Sequence, residues 1–321
     1  MEPDLSHGIA PGMDVLGLGA VAVDDILFLQ EFPRPDSKMP IQRHERRAGG
    51  LAGTSLVAAR RMGRACAYAG TLGDDELSRF IVDGFTSAGI SVDALVTRPD
   101  ARPFHSTILV DTKAKTRTIL YNAQGVIGAS PDAPSEAVIR AAGVLLVDHV
   151  GLAGMVRAAR IARAAGIPVV ADLERDDGGL FGDLLALVDH LILPFDFAAR
   201  ITGAREASAI IDALWTPDRS AVVITRSEHG SWYRTAEDSG RFFHQPAFPV
   251  DVVDTNGCGD VFHGVYAAGL AAGLKAEERI RFAACVAALK ATRVGGQTGI
   301  PSRAEADAFA AERKGRSQRT S

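Results

Sequence analysis

Residues 254–260 read Asp254-Thr255-Asn256-Gly257-Cys258-Gly259-Asp260 and run into a long apolar stretch, VFHGVYAAGLAAGL. Two glycines let a chain turn tightly with its N–H groups facing inward. A helix that starts at the same place adds its unpaired first-turn N–H groups and its positive dipole end. Together these make an anion site suited to phosphate or to the charge that develops during phosphoryl transfer. Asp260 falls in the first helical turn. An acid there can simply cap the helix. Beside an anion site it is also placed to act as a general base, taking the proton from an attacking hydroxyl. Cys258 lies where a helix N-terminus tends to lower a thiol pKa, yet only its backbone N–H is required.

These residues need a scaffold that delivers a strand end and a helix start to one point. A strand is expected over 250–253 to bring the chain there. Elsewhere, short apolar runs at 14–23, 65–70, 144–150, 167–173, 190–194 and 221–226 alternate with helical patterns at 52–63, 76–89, 133–142, 152–165, 179–188 and 204–214. The runs are apolar throughout, as expected of strands covered on both faces. Helices are expected again at 260–273, 276–293 and 303–313. The fold class is therefore α/β, with a central, mostly parallel sheet and helices on both faces. Residues 24–48 and 92–122 break the alternation. They hold half-polar strand pieces, including 104–111 and 115–122, and suggest a small β lid outside the main sheet. One domain over 14–313 is expected, with tails at 1–13 and 314–321.

Composition narrows the function classes. The 321 residues are 47% hydrophobic and 23% charged, with a net charge of −4, which excludes a mainly disordered chain and a broad grip on nucleic acid. No apolar run is long enough to span a membrane. Cys66, Cys258 and Cys285 are too few and too scattered for a disulfide framework or a cysteine zinc site. Free thiols and an N-terminus without a signal-peptide pattern fit a cytoplasmic protein. Gly17-x-Gly19-x-x-Ala22 resembles a dinucleotide fingerprint, but strand material rather than a helix follows it. No histidine pair has metal-ligand spacing. His105 on a lid strand, and Asp148, His149 and Asp172 at strand ends, are placed where α/β sheets bind ligands. Lys38, Arg43, Arg46 and Arg47 form a basic run on the lid. A solvated strand face accounts for it, and so does a cation for an anionic substrate, supplied by Lys38 or Arg43. Arg102 and Arg117 are weaker candidates of the same type.

The 250–274 motif resembles the C-terminal signature of the ribokinase/PfkB carbohydrate kinases. The likeness continues at Ala48-Gly49-Gly50 with the helix behind it, at GTLGDDELSRF, VITRSEHGSW and AALKATRVGGQTGIP, and at Gly19 to Asp24. It covers about 14 to 301. Within the family the sulfofructose kinase branch is the nearest in QPAFPVDVVDTNGCGDVFHG. The resemblance implies a ribokinase-like fold and transfer of the ATP γ-phosphoryl group, with Mg2+, to a hydroxyl of a sugar or sugar derivative, an anionic ketose or sugar phosphate included. It implies Asp260 as base and the Gly257, Cys258 and Gly259 backbone as anion hole. Asp24, Gly49, Gly50 and Thr54 fall at sugar positions, and Lys38, Arg43 and His105 are added from the lid. Thr225, Ser227, Gly230, Thr255, Gly295 and Gly296 fall on the nucleotide side. A monovalent cation such as K+ near the loops around 255 and the 290s, and a homodimer through the lid, are implied as well. A nucleoside acceptor, or a non-catalytic sensor on the same fold, are the alternatives.

Three departures from the family pattern stand out. Thr54 replaces an asparagine. Pro194-Phe195-Asp196-Phe197 replaces an Asn-x-x-Glu tied to Mg2+ and phosphate, leaving Asp196 as a substitute. Ser227 replaces a glycine. At one strand end, Asp148-His149-Val150 stands where the sulfofructose branch carries an extra basic residue.

Overall fold

The structure is a computed structural model and describes residues 12–125, 127–239 and 241–317, with side chains to 313. In chain order the elements are β1 (Met13–Gly17), β2 (Ala22–Leu29), β3 (Arg43–Gly49), α1 (Leu51–Arg61), β4 (Cys66–Tyr68), β5 (Thr71–Leu72), α2 (Glu76–Ser87) and β6 (Val96–Thr97). Next come β7 (Phe104–Asp111), β8 (Thr116–Asn122), α3 (Glu136–Arg140), β9 (Ala142–Asp148), α4 (Leu152–Ala164), β10 (Val169–Asp172), α5 (Phe181–Leu187), β11 (His190–Pro194), α6 (Phe195–Thr202) and α7 (Ala207–Leu214). The chain ends with β12 (Ala221–Thr225), β13 (Ser231–Thr235), β14 (Phe242–Gln245), α8 (Cys258–Ala271), α9 (Ala276–Ala291) and α10 (Arg303–Ser317).

The main sheet has eight strands in the order β14-β13-β12-β11-β10-β9-β1-β4. β12 through β4 run parallel, and β13 and β14 extend the edge antiparallel. Strand alternation splits the core in two. Val15, Val144, Leu146, Val170, Ile192 and Val223 face α1, α8 and α9. Leu16, Leu145, Val147, Val169, Leu191 and Val222 face the layer of α4 to α7. Both faces of each strand are buried, so the apolar runs do not alternate with polar residues.

A second sheet, β3-β2-β7-β8, stands apart as the expected lid. Its strands come from 24–48 and 92–122, except that β2 starts at Ala22 and β3 ends at Gly49. The expected single strand over 14–23 is two strands in two sheets. The chain leaves the main sheet at Gly19 (φ +131), where a Cβ would lie 2.1 Å from Asp148 Oδ2. The buried Asp148 carboxylate holds the break, accepting from Ala20 N (2.6 Å) and Val150 N (2.7 Å). It is therefore a loop anchor and not a substrate group.

Four further differences have local causes. Residues 250–253 form no strand; they lie as a loop, with Val253 N and Asp254 N donating to Ala291 O. β13 and β14 carry too many polar residues to read as core strands. α6 follows Pro194, whose fixed φ suits a helix start without any side-chain cap. Residues 314–317, expected in a tail, continue α10; most of the expected N-terminal tail and residues 318–321 lie outside the described residues. No helix among the described residues is long and apolar enough to cross a membrane.

Replacing Asp148 with alanine strips two backbone N–H groups of their acceptor, at about 1–3 kcal/mol for each one left buried. We expect a loss of about 2–4 kcal/mol in urea unfolding; a loss under about 1 kcal/mol would remove Asp148 as the anchor of the β1–β2 break.

Candidate active site

A cleft of about 390 Å³ lies between the lid and the N-terminus of α8. Asp24, Ile26 and Phe28 of β2, Arg43 and Arg47 of β3, Ile108 and Val110 of β7, and Arg117 of β8 line its lid side. Gly49, Gly50, Thr54, Asp254, Asn256, Gly257, Asp260 and Gly296 line the other. A chain separation of more than 200 residues thus closes to one site.

Close helix packing delivers the floor. A Cβ on Gly264 of α8 would lie 2.0 Å from Ser55 O of α1, so the two helices approach backbone to backbone. Ser55 Oγ donates to Asp260 O (2.9 Å). Gly50 starts α1 at φ +88, and a Cβ there would lie 2.5 Å from Val21 Cα, so space alone requires this glycine; a Cβ on Gly49 would come no closer than 3.4 Å to Asp24 Oδ2. Buried Thr54, where the family pattern has asparagine, faces the cleft with its Cγ2 beside Gly257.

The anion loop takes the expected shape with two amendments. Gly257 caps α8 at φ +77, the left-handed region that favours glycine. Gly259 is ordinary helix, and a Cβ on it would meet nothing within 4 Å; its glycine matters only to a molecule approaching from the cleft. The N–H of Cys258 donates to Thr255 O (3.1 Å) and is spent. The N–H groups of Gly257, Gly259 and Asp260 find no acceptor among the described residues. The free donors are therefore Gly257, Gly259 and Asp260. Burial pushes the Cys258 thiol up rather than down, and its Sγ donates to Ala287 O.

Asp260 is held well above the ordinary carboxylate range, first by burial and then by the Asp172, Glu174 and Asp148 charges. His263, one turn on, opposes the shift. Its ring sits between the carbonyls of Gly259 and Ile192 (2.8 and 3.1 Å), with Nδ1 also 3.2 Å from Asp172 Oδ2. Asp196 is exposed in the first turn of α6 and does not line the cleft. The acids acting most strongly on Asp260 come from the end of β10 instead. Among the described residues no group of three or more His, Cys, Asp or Glu is arranged to hold a metal ion.

Strand alternation sorts the lid residues. Arg43 and Arg47 face the cleft and pair with Glu45. Asp25, His44, Arg46 and His105 occupy the opposite face. There Asp25 accepts from Arg46 (2.7 Å) and pairs with His105 (2.8 Å), and Arg46 reaches Glu76 of α2. His105 is thus a contact within the lid, between β7 and β2, and not a cleft residue. Lys38 is exposed in the β2–β3 loop, away from the cleft. Arg117 lines the cleft and forms no ion pair among the described residues. Buried His149 does not line the cleft either. Arg47 was legible in the sequence, since a period of two from Arg43 reaches it.

Thr225, Ser227 and Gly230 lie at the C-terminal end of β12, outside this cleft. Ser227 has φ +40, which is why glycine suits that position. A Cβ on Gly230 (φ +82) would lie 2.2 Å from Gln245 O. Thr255 is exposed. Gly295 (φ +90) donates to the Asp254 carboxylate (2.7 Å), and Gly296 lines the cleft opposite Gly257.

The pfkB family carbohydrate kinase model matches residues 14–303. A bifunctional ribokinase/ribose-5-phosphate isomerase A of Fructilactobacillus sanfranciscensis is 26% identical over 298 residues; these are 90% of this chain and 54% of that protein, so the chain spans about half its length. A ribokinase of Haemophilus influenzae is 28% identical, covering 90% of this chain and 95% of that one. The crystal structure of a putative ribokinase from Agrobacterium tumefaciens superposes with a TM-score of 0.84 at 26% identity, over 94% of this chain and 98% of the other. A match from the first main-sheet strand to the first residue of α10, on a ribokinase-like fold, places this chain in the pfkB family of carbohydrate kinases.

Proposed function

We propose that the protein transfers the γ-phosphoryl group of MgATP to a hydroxyl of a sugar derivative bearing an anionic group. The observation that carries the reading is Asp260, half-buried at the first turn of α8 beside three unspent N–H groups and across the cleft from Asp24 and three arginines. The acceptor hydroxyl lies against the Asp260 carboxylate, which takes its proton as the oxygen attacks. The Gly257, Gly259 and Asp260 N–H groups stabilise charge on the transferring group. Mg2+, held by the nucleotide's own phosphates, would supply charge neutralisation when bound. Asp24, pushed up by burial and held by Ser106, grips sugar hydroxyls.

Arg117 supports an anionic acceptor because, unlike Arg43 and Arg47, it forms no ion pair among the described residues and acts on the Asp254 carboxylate only at a distance. A guanidinium matches a phosphate or sulfonate bidentately. A nucleoside base would need a stacking face; Phe28 lines the cleft, but Arg43 already covers its ring at 3.8 Å. The lid's edge strand β8 exposes Ile119, Leu120 and Tyr121, which supports pairing with a second copy; a monomer by size exclusion with light scattering would end that reading.

The test is ADP release with MgATP over ribose, fructose, fructose 6-phosphate, tagatose 6-phosphate, sulfofructose, 2-keto-3-deoxygluconate and adenosine. We expect an anionic acceptor to be preferred, and Arg117→Ala to raise its KM about tenfold or more with little change in kcat. Preference for a neutral sugar would overturn the anionic reading and leave the kinase reading standing.

Asp260→Asn should cut kcat by about 10² to 10⁴, the range for losing a general base, with ATP still bound in a fluorescence titration. The raised pKa fixes the sign of the pH dependence. The base works ionised, so kcat/KM rises with pH along a limb above the ordinary aspartate value of about 3.9. Turnover near wild type in Asp260→Asn, or a limb at the ordinary value, would remove Asp260 from the role.

A further inference from the structure

Lys290 stands in the last turn of α9, inside a helix rich in alanine, and its side chain is 0% exposed. A buried ammonium carries a heavy desolvation cost unless polar groups surround it. It forms no ion pair with a carboxylate among the described residues. Its Nζ instead donates to two backbone carbonyls of the anion loop, Asp254 O (2.9 Å) and Asn256 O. The Asp254 carboxylate closes the same loop from the other side, accepting from Asn256 N (2.9 Å) and Gly295 N (2.7 Å).

The Asn256 carbonyl belongs to the peptide unit whose N–H is that of Gly257. In a planar trans peptide the two groups point in opposite directions. A cation that fixes Asn256 C=O toward α9 therefore turns the Gly257 N–H away from α9. Gly257 lines the cleft, and its N–H is one of the three without an internal acceptor. The same charge polarises that peptide and strengthens its N–H as a donor.

We propose that Lys290 is a positioning residue of the anion hole: a built-in cation that orients the Gly257 N–H and does the work of a free monovalent ion at this loop. The carbonyls of the loop around 255, where a K+ ion is implied by the family resemblance, already hold an ammonium fixed to α9. The inference rests on the kinase reading for its kinetic consequences, but not for its binding ones.

The first experiment uses the wild-type chain. At equal ionic strength, the thermal midpoint and the rate of ADP release should be the same within about twofold in KCl, NaCl and choline chloride. Activation of tenfold or more by K+ over choline would overturn the proposal, since an outside ion would then be required. The second compares two variants. Lys290→Met keeps the apolar stem and removes the charge; we expect kcat to fall about 10- to 100-fold with the acceptor KM within about threefold. Unchanged kcat would overturn the proposal.

Lys290→Ala opens a space beside the two carbonyls. Methylammonium or NH4+ should raise its thermal midpoint, and its kcat by fivefold or more, while leaving wild type unmoved. Absence of any rescue in a folded variant would mean that Lys290 serves packing alone. The midpoint measurements need no turnover. If no acceptor is phosphorylated, the kinase reading fails while the cation screen still decides the role of Lys290.

Discussion

Four carboxylates, Asp148, Asp172, Glu174 and Asp260, act on one another around the C-terminal ends of β9 and β10, and the site depends on how that repulsion is contained. Three of them, Asp148, Asp172 and Asp260, are held above the ordinary carboxylate range, with burial the largest cause in each. Opposing groups keep the arrangement in place: backbone donors on Asp148, the His263 ring beside Asp172, which also offsets the charge on Asp260, and the N-terminus of α8. A raised carboxylate pKa adds stability that is fully present below the unfolded value near 4 and is lost as pH rises through the folded value. For Asp148 that window ends at about 7. The chain thus gives up stability near neutral pH to keep a carboxylate of raised pKa beside the unspent N–H groups of α8, the trade expected of a functional site and consistent with the proposed role of Asp260.

The scaffold beneath is more forgiving. Six parallel strands with both faces buried, and α8 packed backbone to backbone on α1, fix the helix start in space. Much of this was legible. The Asp254–Asp260 run encodes its own left-handed turn and helix start, and apolar strands without alternation encode a sheet covered twice. The lid segments declared themselves by half-polar strands in an otherwise apolar α/β chain.

What could not be read had physical reasons. The break at Gly19 hides inside a continuous apolar run, because Asp148, more than 120 residues away, imposes it. The basic residues of β3 are contiguous in sequence, but the strand sends Arg43 and Arg47 to one face and His44 and Arg46 to the other. Lys290 sits in an alanine-rich helix, where a lone lysine ordinarily marks a solvated face. Its burial follows from two carbonyls on a loop that the helix pattern says nothing about.

The lid divides its labour by the same alternation. Its outer face carries the Asp25–Arg46–His105 cluster and reaches Glu76 of α2, which fastens the sheet to the body. Its inner face carries Asp24, Arg43, Arg47 and Arg117 and holds no group assigned to the chemistry. The proposed base and the free N–H groups sit at the start of α8, from its N-cap Gly257 to Asp260. Substitutions on the inner face can therefore change which acceptor is gripped without moving the base. Substitutions on the outer face loosen the lid without touching the acceptor. A fold arranged this way can exchange one sugar for another by altering a few side chains on β3 and β8, while the helix start at Gly257 stays constrained by φ, by space and by the charge behind it.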